Sequence, residues 1–452
     1  MSDVRSVLAS TARAVASIAW GCVLAWLPGT ARASVEDLYG AGGRGPALAG
    51  ALTADSRGPE STFYNPAGLA HSDHFSLFAT VSLFTQDLDA GIAGGVSDPS
   101  VGVSLGLAAP IPFGGPLEDR LFFGAVVHLP TDGARLIRID LPGFEQPYFL
   151  PYQNATERAV ISAGLGVRLT DWLRLGAGME IHLLDSPNSV AGGIGRTGTF
   201  ELSTDLALLA DYVPRFGVEL DGAVLGETFE GWALGITYRE RFDEDFALPT
   251  QFDIGFPATL LVSGSTFFVP RELAAGVAWR PSPGWKFTGD VVWERWSELP
   301  SPRIRVGIVG LDGLLPDPDL AEILAPVPDP RVSDTVAPRF GLEWDLLASD
   351  VGAPLILRGG YAYEPSPGEP AGDPLLFFGA RHVGTIGVDW VVGAPVLTPD
   401  EPRLEIEAYG QLHVVESERR TVPASLSPTG AEVSVSGGGW VGVTGVAVRV
   451  TF

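Results

Sequence analysis

Ser61-Thr62-Phe63-Tyr64-Asn65-Pro66-Ala67-Gly68-Leu69-Ala70 marks a change of character in the chain. Before it, from Asp37 to Glu60, runs a Gly/Ala-rich segment with no strand pattern. After it, from about Asp73 to Phe452, alternating apolar and polar runs follow one another between turn signals. We read residues 34–70 as a plug, or hatch, and residues 71–452 as a barrel closed around it. The expected fold is all-β: a transmembrane antiparallel β-barrel of about 14 strands, an even number as bacterial barrels require.

Side chains alternate along a strand, so each run has two faces. Phe75, Leu77, Ala79, Val81 and Leu83 oppose Ser76, Thr80 and Ser82. Ala159, Ile161, Ala163, Leu165, Val167 and Leu169 oppose Arg158, Ser162, Gly164, Gly166 and Arg168. Leu173, Leu175, Ala177, Met179, Ile181 and Leu183 oppose Arg174, Glu180 and His182. Trp232, Leu234, Ile236 and Tyr238 oppose Thr237, Arg239 and Arg241, and Leu404, Ile406, Ala408, Leu412 and Val414 oppose Arg403, Glu405, Glu407, Gln411 and His413. The runs span about 10–14 residues, against ~5–6 for a globular strand and ~9–11 for one tilted across a bilayer. The charged faces belong to the lumen, because a charge facing lipid costs ~2–4 kcal/mol at the midplane.

The expected strands are 74–86, 99–109, 120–130, 157–169, 171–185, 199–213, 231–243, 258–281, 285–297, 336–347, 354–365, 379–392, 402–415 and 440–452. The run 258–281 contains Pro270 and is one bent strand or two; splitting it would make the count odd. Tight connections at Leu169-Thr170-Asp171-Trp172 and 280–285 contrast with long ones at 131–156, 298–335 and 416–439. Short turns are periplasmic and long loops external in such barrels, which puts the plug and Phe452 at the periplasmic end.

Composition agrees. Hydrophobic residues make up 46% of the chain, yet no apolar run reaches the ~20 residues of a membrane helix. The 57 Gly and 37 Pro suit turns and strands, and Lys is nearly absent. Arg5 and Arg13, the apolar stretch Ala14–Leu27 and Ala31-Arg32-Ala33 read as a signal peptide over residues 1–33. The single Cys, Cys22, falls inside it, so the mature chain is expected to have no disulfide and no Cys-ligated metal. Without this segment the net charge moves from −25 to −27, which argues against nucleic acid as a partner. The acidic residues of Asp312–Asp334 and Glu364–Asp373 read as solvated loops.

Chemistry is sparse. Gly40-Ala41-Gly42-Gly43-Arg44-Gly45 and Gly193-Ile194-Gly195-Arg196-Thr197-Gly198 match G-x-G-x-x-G without the strand–helix context of a dinucleotide site. There is no H-E-x-x-H and no G-x-S-x-G in the strand–turn–helix setting of a nucleophile elbow, so neither metal, cofactor nor enzymatic activity is expected. His128, His182, His382 and His413 could each partner a Ser in a lipid-modifying enzyme, but they read as lumen or interface residues. Glu180, Asp290, Glu294, Glu343 and Asp389 fall opposite Arg residues and read as a salt-bridge lining. The connections 131–156, 244–257 and 311–327 are rich in large apolar residues, either a binding patch or a lid of loops packed on one another. Phe144, Phe149, Phe252 and Phe256 are the candidate ligand contacts there.

Asn65-Pro66-Ala67-Gly68-Leu69 after a Gly/Ala-rich start, Thr237-Tyr238-Arg239, Val269-Pro270-Arg271-Glu272, Trp293-Glu294-Arg295-Trp296-Ser297, Leu357-Arg358-Gly359-Gly360-Tyr361 and the terminal Phe452 together resemble the FadL/TodX family of outer-membrane channels. The resemblance covers essentially the whole mature chain. It implies a monomeric fourteen-stranded barrel, passive uptake of long-chain fatty acids or other hydrophobic compounds, and capture in an external groove. A hatch centred on Asn65, Pro66, Ala67 and Gly68 would move to release the ligand, sideways through a gap in the wall. On this reading Arg158, Arg239 and Arg358 are candidates to meet a ligand carboxylate. The remaining partners are outer-membrane lipid and, through the C-terminal strand, the barrel-assembly machinery. The connection 186–198 is shorter than the helical loop that family members carry there, which bears on the capture groove. A porin for polar solutes and a lipid-modifying enzyme are the alternative functions.

Overall fold

A computed structural model describes residues 39–89, 100–130, 137–139, 148–149, 152, 156–194, 200–253, 257–301, 305–309, 330–346, 355–392, 403–424 and 430–452. The expected signal segment, Phe144, Phe256 and the apolar run 311–327 lie outside them. Among the described residues, fourteen wall strands form one antiparallel sheet that closes on itself. They are β1 (Ser76–Asp89), β2 (Ser100–Pro110), β3 (Leu121–Pro130), β4 (Val160–Arg168), β5 (Leu173–Ile194), β6 (Phe200–Asp221), β7 (Trp232–Arg239), β8 (Arg271–Ser282), β9 (Trp285–Arg295), β10 (Thr335–Asp345), β11 (Leu355–Glu364), β12 (Arg381–Val392), β13 (Arg403–Val422) and β14 (Val433–Thr451). Each pairs with the next, and β1 pairs with β14 from Ser76↔Thr451 to Asp89↔Gly438. Closure leaves no unpaired edge, the condition for a sheet to stand in lipid.

The alternation has the expected sense. Leu105, Leu165, Met179, Ile236, Val291, Phe340, Ile386, Leu412 and Val446 point outward and are exposed. Ser76, Thr80, Ser104, Ser162, Glu180, Thr237, Asp290, Glu343 and Glu407 point inward and are buried. Near the short turns the outer surface carries Trp172, Trp279, Trp285 and Trp344. Trp285 stacks on Trp344 at 5.1 Å and Trp232 on Trp279 at 5.3 Å, forming an aromatic girdle of the kind barrels place at a membrane interface.

Pro270 settles the ambiguous run. It lacks an N–H for the ladder and separates Pro257–Val269 from β8. The partner breaks at the same level, between β7 and Phe242–Asp253, and those two outer segments pair with each other. Both breaks belong to one hairpin, so the wall count stays even. The interruption also takes Arg241 out of the alternation; it is exposed, not lumenal.

Three connections differ from expectation. Most of 244–257 is strand in this outer hairpin rather than loop. β5 and β6 continue through most of 186–198, and β13 and β14 through much of 416–439, past a bulge between Val415 and Glu418. The length limit applied to the sequence came from the bilayer. A backbone ladder satisfies its own N–H and C=O groups beyond the lipid as well, so hairpins can project past it.

Candidate functional site

Residues 39–72 lie inside the barrel toward the short-turn end. Their local structure follows from the stretch around Asn65. Ser61–Tyr64 makes one helical turn, and Pro66–His71 a 3₁₀ helix. Asn65 between them is extended, and its Oδ1 accepts from Ala67 N at 3.0 Å, capping the second helix with Pro66 at its first position. Asn65 Nδ2 donates to Thr53 O at 2.6 Å and to Val218 O of β6 at 3.2 Å. The fully buried Asn65 thus joins three backbones: its own helix, the preceding loop and the wall.

The wall meets this plug with glycines. A Cβ on Gly217 would lie 1.9 Å from Asn65 Oδ1, one on Gly176 2.1 Å from Ala67 N, and one on Gly235 2.0 Å from Thr53 O. Gly124 and Gly166 make the same room for Leu69, Gly360 for Leu48 and Gly387 for Ala47. Missing side chains on the lumenal face form a belt in which plug backbone approaches wall backbone.

Charges fasten the plug below this belt. Arg44 binds Glu343 of β10 through Nε–Oε2 at 3.1 Å and Nη2–Oε1 at 2.6 Å, and Asp55 through Nη2–Oδ2 at 2.5 Å. Lys286, the only lysine in the sequence, reaches Asp55 Oδ2 at 2.6 Å. Arg358 binds Glu343 at 3.0 Å and Asp389 at 2.9 Å, and Arg449 of β14 binds Glu60 of the plug. Thr53 N donates to Asp290 Oδ2 at 2.9 Å, and His71 Nε2 meets Glu219 Oε1 at 2.7 Å. Burial disfavours the Asp55 carboxylate, but Arg44, Lys286 and Arg57 outweigh it and hold its pKa well below the usual range.

Above the plug is a polar chamber. Arg215, Arg239, Arg339, Arg381, Glu272 and Glu294 line it together with Glu364, Tyr39, Phe63, Tyr64, Gln411 and His413. Among its arginines, Arg239 lies 3.5 Å from Glu272, and Arg339 3.6 Å from Glu364. Toward the long loops the described residues form an apolar cluster. Leu375, Leu376, Phe377 and Phe378, from the connection between β11 and β12, are buried there. Phe377 packs on Phe149 at 5.6 Å and Phe378 on Trp296 at 5.7 Å, with Tyr39, Phe84, Tyr152, Val415 and Val435 in the same cluster or beside it.

Among solved structures, the chain is similar to a FadL homologue of Pseudomonas aeruginosa, with a TM-score of 0.57 at 14% identity, over 94% of this chain and 98% of that one. It is similar to the toluene transporter TodX of P. putida, with a TM-score of 0.55 at 16% identity, over 92% and 99% of the two chains. The toluene transporter TbuX of Ralstonia pickettii gives 0.52 at 16% identity, over 92% and 99%. The chain has the FadL/TodX fold. No protein-family model and no curated protein matches the sequence.

Within this FadL/TodX fold the sequence-derived candidates separate. Asn65, Pro66, Ala67 and Gly68 come together at the wall, with Gly68 backed against Ser56. Thr237 and Arg239, Glu272, and Glu294, from three of the quoted stretches, converge on the chamber. Arg358 does not line it; Glu343 and Asp389 occupy its guanidinium lower down. Arg158 lies in the short strand Thr156–Arg158 beside Ile137–Ile139, and Phe252 pairs with Ala258 in the outer hairpin. Phe149 is buried in the apolar cluster, packed against Phe377.

His128 meets Ser104 at 2.9 Å, and both are buried. His382 lies between Tyr361 and Glu416, His413 beside Gln411, and His182 stacks on Phe242. Of the carboxylates read as lining, Glu180 binds Arg215 and Glu343 and Asp389 bind Arg358. Reading of the sequence passed over Arg44, Lys286 and Leu375–Phe378. The last left a signal: four large apolar residues in a row, inside a connection otherwise rich in Pro, Gly and acid.

Proposed function

We propose that this chain is an outer-membrane channel for passive uptake of long-chain fatty acids or other hydrophobic small molecules, working as a monomer without enzymatic activity. One observation carries the reading. Among the described residues, the barrel is apolar outside, and its lumen holds a docked plug toward one end and an apolar cluster toward the other, with a charged chamber between. A porin for polar solutes needs a continuous aqueous path, and this lumen offers compartments instead. The three solved structures of the same fold, two of them toluene transporters by name, support the reading.

In this mechanism an apolar tail enters the cluster at the long-loop end, gaining ~0.8 kcal/mol for each CH₂ buried. A carboxylate head is met in the chamber by Arg239 and Arg339, which line it beside Arg215 and Arg381. Movement of the Asn65–Gly68 segment, whose Asn65 bonds both Thr53 and Val218, opens the way out. The signal segment would direct the chain to the outer membrane, and the strand ending at Phe452 would present it to the assembly machinery. Uptake of labelled oleate into proteoliposomes, beside planar-bilayer conductance, tests the function. Saturable oleate uptake with little ion conductance is expected; large steady conductance without oleate uptake would overturn the reading in favour of a porin. Replacing Arg239 and Arg339 by Gln should lower oleate uptake and leave toluene uptake unaltered.

A further inference from the structure

We propose that residues 370–379 are a hinged lid whose Leu375–Phe378 occupy the chamber mouth in place of the substrate's apolar part, so that entry requires the lid to swing out. The inference rests on the channel function proposed above. The connection is fixed at both shoulders. Before the hook, Ser333 N donates to Pro367 O at 2.9 Å and Glu369 N to Arg331 O at 3.0 Å, and Arg420 holds the Glu369 carbonyl. After it, Glu416 N donates to Ala380 O at 2.8 Å. Between these points the chain dips inward, bracketed by Gly372 and by Gly379 at φ +61°. Asp373 starts the dip by accepting from Leu375 N at 2.9 Å.

All four apolar side chains of the hook are buried in apolar clusters. The strand pairing recorded for its tip is a two-residue parallel match, Leu376↔Tyr148 and Phe377↔Phe149. A segment with firm shoulders, glycine at both bends, little ladder and four buried apolar side chains is built to exchange one apolar environment for another. An apolar ligand competes for the same surface, formed by Phe84, Phe149, Tyr152, Val415 and Val435. Its binding therefore offsets the exposure of the hook.

A reversible lock tests this. A Cβ on Gly437 would lie 3.0 Å from Cγ of Phe377, which places the two Cβ atoms near the ~3.5–4.5 Å of a disulfide. In full-length Phe377→Cys/Gly437→Cys protein in proteoliposomes, oxidation should abolish oleate uptake and reductant should restore it. Equal uptake by the cross-linked and reduced forms would overturn the lid, as would failure of the two thiols to join in folded protein. No uptake even by reduced or unaltered protein would instead bring down the channel reading itself. Leu375→Ser/Phe378→Ser provides the opposite arm: with normal heat-modifiability, its initial uptake rate should exceed that of the unaltered protein, and a rate equal or lower counts against the lid.

Discussion

Arg44 of the plug grips Glu343 of the wall with two parallel hydrogen bonds, Nε–Oε2 at 3.1 Å and Nη2–Oε1 at 2.6 Å. The same guanidinium takes Asp55 and the Asp55 carbonyl, so one side chain ties two parts of the plug to β10.

Arg44→Leu should therefore free the plug while sparing the wall. Removing one partner of a buried pair costs up to ~3–5 kcal/mol, and less here because Arg358 still faces Glu343 and Lys286 still faces Asp55. The strand ladders are untouched, so heat-modifiable barrel should form in normal amount. The plug should become susceptible to protease from the short-turn side. A plug as resistant as in the unaltered protein would show that the glycine belt holds it without the ions.

The lock should also weaken in acid. Asp55 has its pKa depressed in the folded protein, so its contribution is fully present above the unfolded value of ~3.9 and is lost as pH falls through the lower folded value. Protease resistance of the plug should drop below about pH 4. Asp55→Asn should flatten that dependence; an unchanged acid profile in the variant would assign the effect to other carboxylates.

Gly217→Ala and Gly176→Ala test the belt. Each Cβ would overlap the Asn65–Ala67 segment, and overpacking of this sort costs ~1–3 kcal/mol. The plug must shift, so both variants should leak small ions in planar bilayers. Gly410→Ala, where no atom comes nearer than 3.8 Å to the added Cβ, should not.

Asn65→Ala/Pro66→Gly removes three bonds worth ~1 kcal/mol each and frees the φ that Pro66 fixes. The barrel should insert normally, and oleate uptake per folded protein should rise. Unaltered uptake with lowered thermal stability would mean that the motif only caps the entry to β1.

Phe452 stacks on Phe75 at 5.7 Å, where the last strand meets the first. Phe452→Asp should leave the chain aggregated or degraded in the periplasm. Normal amounts of heat-modifiable barrel would show that the terminal aromatic is dispensable for assembly.

The wall was legible because its signal is local: alternation, read residue by residue, gave strands whose faces point as expected, from Ser76 and Thr80 inward to Ile236 and Leu412 outward. The plug's place in the lumen was legible from the break in pattern at Asn65-Pro66. Its fastening was not. Arg44 and Glu343 are far apart in the sequence, and neither has a local feature that names the other. The glycine belt was hidden for a different reason: in a chain this rich in glycine, Gly176 or Gly217 looks like any other until its neighbour across the lumen is known. Phe149 was read as a candidate ligand contact, but whether a greasy loop residue faces water or its own kind depends on Phe377, which arrives more than two hundred residues later.

The pairing of β1 with β14 has a consequence for the order of events in biogenesis. The plug precedes β1 and is therefore made first, while the strand that completes the wall is made last. Until β14 finds β1, the charges on Arg44, Asp55 and Glu60 have water to solvate them and no enclosure to leave it for. Arg449, the wall partner of Glu60, sits on that final strand. Sealing the cylinder and enclosing the charges of its stopper are thus joined at one seam, where β14 brings Arg449 to Glu60.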